Sequence, residues 1–150
     1  DERLQTIKNV QAAGISVCTG GILGMGETEN DRIEFIYQLT SFDPRPESIT
    51  INSLVPFDGT PLEKKRPIDP FDVIRVIATL RIVSPQSMIR LSAGRLKMTA
   101  EAQFLCFYSG ANSIFFGDKL LTAANPSLTQ DKDLLEKIGY RLKDPSNVEH

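Results

Sequence analysis

Apolar positions along the chain recur with two alternating periods, one helical and one strand-like. Glu2 to Ala13 carries Leu4, Ile7 and Val10 at helical spacing and stops at Gly14, a residue suited to a helix C-terminus. Ile15-Ser16-Val17-Cys18 reads as a strand entering a glycine-rich loop, Thr19-Gly20-Gly21-Ile22-Leu23-Gly24-Met25-Gly26. Thr28-Glu29-Asn30-Asp31 has the form of a capping box, which predicts a helix to about Thr40 with Ile33, Ile36 and Leu39 inward. Asp43-Pro44-Arg45-Pro46 breaks that pattern, and Ser48 to Val55 is a β-branched, nearly continuous strand. A long loop follows from Pro56 to Ile68. Asp69 then caps a helix with Pro70 at its first position, running through Val73, Ile74, Ile77 and Leu80.

Met88-Ile89-Arg90-Leu91 is a third strand, ended by Ser92-Ala93-Gly94-Arg95. Thr99 caps a helix through Phe104, Leu105 and Tyr108 that Gly110 closes, and Ser113-Ile114-Phe115-Phe116 is a fourth strand. A short helix is expected near Asp131 to Ile138, and residues 143–150 read as a loose tail. One helix followed by four strand–helix pairs implies a parallel sheet with right-handed crossovers. The α/β architectures that satisfy this are an open doubly wound sheet or half of a (β/α)8 barrel, whose usual size is about 250 residues. Polar residues recur where strands read as ending, at Cys18, Asn52, Arg90, Arg95 and Asn112. That end carries the site in a barrel, so the half-barrel is favoured.

Composition narrows the function. Of 150 residues, 41% are hydrophobic and 24% charged, an ordinary globular balance that excludes disorder. Net charge is −2, and no basic stripe stands out, which argues against a nucleic-acid binder. No apolar run approaches the roughly 20 residues of a membrane span. Asp1-Glu2-Arg3 leads into a helical pattern without an initiator Met or a signal peptide, so a fragment from a reducing cytosolic or organellar setting is expected. Two cysteines and one histidine, His150, exclude a disulfide scaffold, a zinc finger and a Ser-His-Asp or Cys-His centre.

Four features hold chemical interest. Cys18 is either a small buried hydrophobe or a thiolate metal ligand whose fellow ligands lie elsewhere. The glycine-rich loop lacks the Gly-Lys-Ser/Thr of a Walker loop and the third glycine of a dinucleotide fingerprint. It reads as a tight turn or as backbone brought close to an adenine or amino-acid group. Asn52, inside an apolar run, needs hydrogen-bond partners, either structural or from a ligand with a urea or amide pattern. Arg90, mid-strand between Ile89 and Leu91, requires a buried ion pair or an anion, substrate or cofactor; Arg95 is less constrained. Cys106 reads as core, Glu27, Glu29 and Asp31 as complements to a helix dipole, and Glu63-Lys64-Lys65-Arg66 as a solvated loop.

The segments Arg3-Leu4-Gln5-Thr6-Ile7, Val17-Cys18-Thr19-Gly20-Gly21-Ile22, Gly24-Met25-Gly26-Glu27-Thr28, Ile89-Arg90-Leu91-Ser92-Ala93-Gly94-Arg95 and Gly110 to Thr122 resemble the biotin synthase family of radical S-adenosylmethionine enzymes. The resemblance extends from Asp1 to about Ile138 and matches the C-terminal half of such an enzyme. It implies a (β/α)8 barrel, with residues 1–142 as its C-terminal half. It implies a [4Fe-4S] cluster on Cys-x3-Cys-x2-Cys that cleaves S-adenosylmethionine to a deoxyadenosyl radical. It also implies a [2Fe-2S] cluster that supplies sulfur to dethiobiotin, a homodimer, and an electron donor protein. The expected setting is the cytoplasm, or the mitochondrial matrix in a eukaryote.

By position, the resemblance implies that Cys18 is a cysteine ligand of the two-iron cluster and Arg90 its arginine ligand. A side chain that is normally a pure donor would then offer a lone pair. Asn52 would bind the ureido ring of dethiobiotin. Arg3 would lie near the carboxylate of S-adenosylmethionine, and Ile22 and Val55 around its adenine. Cys-x3-Cys-x2-Cys and the other cysteine ligands are absent from the sequence, so the chain alone is expected to be inactive. Other radical S-adenosylmethionine enzymes, among them methylornithine synthase and a hydrogenase maturase, are competing readings. So is a cluster-free half-barrel that binds a small molecule or serves as an interaction module.

Overall fold

A computed structural model describes residues 2–117, 119–120 and 123–143. The elements are α1 (Glu2–Ala12), β1 (Cys18–Leu23), α2 (Glu29–Thr40), β2 (Ser48–Ser53), α3 (Pro70–Val83), β3 (Met88–Leu91), a 3-10 turn (Arg95–Lys97), α4 (Ala100–Tyr108), β4 (Ser113–Ile114) and α5 (Leu128–Lys137). The tail expected over 143–150 lies, from 144 onward, outside the described residues.

Helix starts follow their caps. Thr28 Oγ1 accepts from Asp31 N while the Asp31 carboxylate accepts from Thr28 N at 2.7 Å, a complete capping box for α2. Asp69 Oδ1 accepts from Phe71 N at 2.9 Å with Pro70 at the first helical position of α3. Thr99 caps α4 through Ala102 N, and Ser127 caps α5 in a box with Gln130. The last helix thus starts at Leu128, ahead of the Asp131 start that the sequence suggests.

The four strands are parallel and stand in the order β1-β2-β3-β4, with no reversal. A doubly wound sheet reverses its strand order where the helices change face; a barrel does not. Crossovers of one hand in one direction put the connecting helices α2, α3 and α4 on the same face. Ile49, Ile51, Ile89 and Leu91 turn to that face and are fully buried. They pack in a single cluster with Ile36 and Leu39 of α2, Val73, Ile77 and Leu80 of α3, and Cys106 and Phe107 of α4. Burying this stripe, at roughly 1.5–3 kcal/mol per large aliphatic side chain, holds the sheet to its helices.

Beside the earlier start of α5 and a β4 that ends at Ile114 rather than Phe116, two further sequence expectations change. The strand expected at Ile15–Cys18 begins at Cys18 and runs through the glycines to Leu23, so Cys18 opens β1 rather than ending it. The cause is space: a Cβ on Gly20 would lie 1.9 Å from the Thr50 carbonyl oxygen, and one on Gly21 would lie 2.7 Å from the Phe35 ring. The turn begins later, at Gly24, where φ is +92°. The second change is Ile33, which is 59% exposed on α2 while Phe35 packs against the core in its place.

Candidate functional site

The other face of the sheet carries the chemistry. Parallel register places Cys18, Ser48 and Met88 across from one another, then Gly20, Thr50, Arg90 and Ser113, then Ile22 and Asn52. These are the side-chain layers that alternate strand positions give to a barrel interior. Cys18 and Arg90, far apart in sequence, meet here: Arg90 Nη1 donates to Cys18 Sγ at 3.7 Å. Arg90 Nε donates to Ser113 Oγ at 3.2 Å, and the Cys18 thiol lies 3.4 Å from Thr50 Oγ1. Among the described residues Arg90 has no carboxylate partner; its guanidinium bridges a thiol and a hydroxyl.

The surroundings of Cys18 lower the pKa of its thiol. Partial burial pushes its pKa up, but hydrogen bonds from the Ser48 and Thr50 hydroxyls and the charge of Arg90 outweigh this and hold it below the ordinary thiol value. Ser48 Oγ is buried directly across the register from Cys18 and, among the described residues, has no competing hydrogen-bond partner, so its hydroxyl is available to that thiol. Cys106 is the contrast. It is fully buried on the inner side of α4, and desolvation alone pushes its thiol up to about 11. One cysteine is shaped for ligation or nucleophilic work and the other for packing.

Beside the pair lies a hollow of about 530 Å³. Ile22, Val55, Phe57 and Phe115 give it apolar walls, while Thr50, Asn52 and Arg90 give it polar points. Asn52 is oriented by two backbone partners: Nδ2 donates to Gly21 O at 3.2 Å and Oδ1 accepts from Ala93 N at 3.1 Å. An amide has two N–H groups and two acceptor lone pairs, so one of each remains for a ligand. Arg3 lies exposed in the first turn of α1 and is not among the described residues lining the hollow.

Three polar groups have other work. Glu27 closes the glycine-rich turn on itself: its carboxylate accepts from Gly24 N at 2.8 Å, Gly26 N at 3.1 Å and Arg32 Nε at 3.1 Å. Partial burial raises its pKa, but these bonds outweigh that and hold it below the usual carboxylate range. Amides spent on Glu27 cannot cradle a phosphate. Arg95, expected to be loosely constrained, is 1% exposed and pairs with Asp131, with Nε on Gln103 Oε1 at 3.2 Å. Asn112 Oδ1 accepts from Ile89 N at 2.9 Å and so braces the sheet.

Sequence reasoning missed the hydroxyls of Ser48, Thr50 and Ser113. A signal existed, since Ser48-Ile49-Thr50-Ile51-Asn52 alternates polar and apolar residues, the mark of a strand with two different faces. The donor set decides which metal groups fit. A single activated thiol could give a cluster one thiolate ligand, with the remaining ligands coming from elsewhere. Among the described residues, no three or more His, Cys, Asp or Glu gather in a group that could hold a metal, so a four-iron cluster does not fit this chain.

Comparison with known proteins agrees with this architecture. The chain is 58% identical over 142 residues to a biotin synthase of Gloeobacter violaceus, covering 95% of this chain and 45% of that protein. It is 52% identical over 146 residues to a biotin synthase of Sorangium cellulosum, covering 97% and 42% respectively. The chain thus spans less than half the length of these curated relatives. Its fold matches the solved structure of methylornithine synthase with a TM-score of 0.73 at 20% identity, over 97% of this chain and 46% of that one. It also matches HydG, a maturase of the [FeFe]-hydrogenase, with a TM-score of 0.76 at 18% identity, over 93% and 33%. These likenesses establish the half-barrel. Residues 50–141 match the Biotin and Thiamin Synthesis associated domain, and since this span is more than half of the chain, the protein belongs to that family.

Proposed function

We propose that the chain is the C-terminal half of the barrel of a biotin synthase, which inserts sulfur into dethiobiotin in the last step of biotin formation. The observation that carries this is the Cys18–Arg90 contact at 3.7 Å on the inner sheet face, beside a hollow with mixed polar and apolar walls. When bound, a two-iron cluster supplies the sulfur and S-adenosylmethionine the means to activate saturated carbons. The four-iron cluster needs ligands from outside this chain, as does part of the two-iron site.

The chain's own residues have separable roles in this reading. Cys18, its thiol pKa lowered by its neighbours, would be the chain's thiolate ligand to iron. Arg90, aligned by Ser113, would join Cys18 in holding that cluster. Asn52 presents its remaining N–H and lone pair to the ureido ring, a group of the same donor–acceptor type. Ile22, 49% exposed on the inner face, and Val55 lie against the adenine, and Arg3 serves the carboxylate of S-adenosylmethionine. Glu27 keeps the turn after β1, and hence the end of the strand bearing Ile22, in one conformation. An electron donor protein, a homodimer and a cytoplasmic or mitochondrial-matrix setting follow from the same reading. Among the described residues no helix is long and apolar enough to cross a membrane.

The test is turnover by the full-length protein. Supplied anaerobically with dethiobiotin, S-adenosylmethionine and a reductant, it is expected to form biotin. Cleavage of S-adenosylmethionine that is never accelerated by dethiobiotin, with no biotin formed, refutes the reading.

A further inference from the structure

Asn52 can read a ligand only if its amide is held still, and the group that holds its oxygen is Ala93 N–H in the loop after β3. That loop is doubly tied to the end of β2, because Ser53 N also donates to Ala93 O at 2.9 Å. Its next residue, Gly94, adopts φ +91° against Ser53, which turns Arg95 inward beneath the loop. There the guanidinium meets Asp131 of α5 through both nitrogens of its fork, with Nη1 to Oδ2 at 3.2 Å. Gln103 of α4 accepts from Nε and donates back to Arg95 O, each at 3.2 Å. Both charges are essentially removed from water.

The start of α5 also governs the opposite rim of the hollow. Asn125 Nδ2 donates to Phe115 O at 2.9 Å and Gly117 O at 2.7 Å, which clamps the loop after β4. Phe115 and Ala93 both line the hollow, and Asn125 and Asp131 flank the Ser127 cap of α5. The segment from Asn125 to Asp131, which leads into the first turn of α5, therefore holds both loops at the mouth, the loop after β4 through the Asn125 amide and the loop after β3 through a buried charge pair.

We infer that Asp131 is a positioning residue: through Arg95 it fixes Ala93 and hence the Asn52 amide against the ureido group of the substrate. This deepens the proposed function and rests on Asn52 facing dethiobiotin. Misplacement of a binding group by a fraction of an ångström weakens binding of the ligand it reads and leaves ligands held elsewhere untouched. Purely structural damage lowers the active fraction and with it kcat, without moving KM.

The experiment is steady-state kinetics of the full-length reconstituted holoenzyme with Asp131→Asn, Gln103→Leu and Asn52→Ala. Asp131→Asn is expected to raise the KM for dethiobiotin about tenfold while that for S-adenosylmethionine stays within about twofold. Gln103→Leu, which loosens Arg95 without stranding a charge, is expected to raise it less and in the same direction, and it decides the matter if Asp131→Asn does not fold. Folded variants with wild-type dethiobiotin KM, or with loss of kcat alone, overturn the positioning role while Asn52→Ala still raises KM. An unchanged dethiobiotin KM in Asn52→Ala overturns the substrate reading and the positioning role together.

Discussion

Replacing Gly20 with alanine drives a methyl group into the backbone of β2. The added Cβ would sit 1.9 Å from the Thr50 carbonyl oxygen and 2.7 Å from its carbonyl carbon and nitrogen. An ordinary C···O approach is about 3.3 Å, so the strands must separate by more than about 1 Å. All three obstructing atoms are backbone of a strand paired on both sides, and none can rotate away. The cost therefore falls at or above the upper end of overpacking penalties, about 3 kcal/mol or more. At Gly21 the obstruction is the Phe35 ring at 2.7 Å, a side chain that can swing, so Gly21→Ala should cost about 1–2 kcal/mol. Gly59, with φ +77° and open space around it, supplies a control of about 1 kcal/mol from backbone strain alone. Urea unfolding of the three variants, followed by circular dichroism, should rank them Gly20, Gly21, Gly59. A Gly20→Ala midpoint close to that of Gly59→Ala would refute the claim that space, not turn geometry, requires glycine in β1.

Four further outcomes follow from the same structure. Alkylation of Cys18 should proceed at a lower pH than an ordinary thiol requires, and Arg90→Leu should shift its pH midpoint upward; Cys106, held near 11, should stay unmodified until unfolding. Asp131→Leu strands the Arg95 charge and should cost about 3–5 kcal/mol, whereas the double variant with Arg95→Met should recover most of it, as measured by thermal or urea unfolding. The Glu27 carboxyl has a depressed folded pKa, so its contribution is complete above the unfolded value of about 4.3 and fades as pH falls through the folded one. Amide exchange at Gly24 and Gly26 should accordingly quicken at acid pH beyond its intrinsic trend, and Glu27→Gln should remove that pH dependence. Anaerobic reconstitution of the 150-residue chain should load little iron, and a stoichiometric four-iron spectrum would contradict the ligand assignment.

Locally determined features were legible. Caps at Thr28, Asp69 and Thr99 needed only neighbours within three residues, and β3 lies at Met88–Leu91 as its β-branched and apolar residues suggested. What escaped was decided across the fold. Glycine is a poor strand former, and only the Thr50 carbonyl and the Phe35 ring opposite explain why β1 uses two of them. Two arginines competed for one buried ion pair, and the sequence favoured Arg90; the partner, Asp131, lies 36 residues beyond Arg95 and no local pattern joins them. Ile33 fits the helical stripe of α2 but loses its place to the bulkier Phe35 beneath β1. The meeting of Cys18 with Arg90 is likewise a product of parallel register, although the resemblance had already paired them.

The central claim is that Cys18 ligates iron on the inner face and takes part in sulfur insertion. Its most direct measurement is biotin formed per polypeptide by the full-length Cys18→Ala protein after anaerobic reconstitution, beside its visible spectrum. Biotin formation is expected to fall by at least about a hundredfold, with the two-iron absorbance diminished and S-adenosylmethionine still bound. Biotin formation at the wild-type level would contradict that claim.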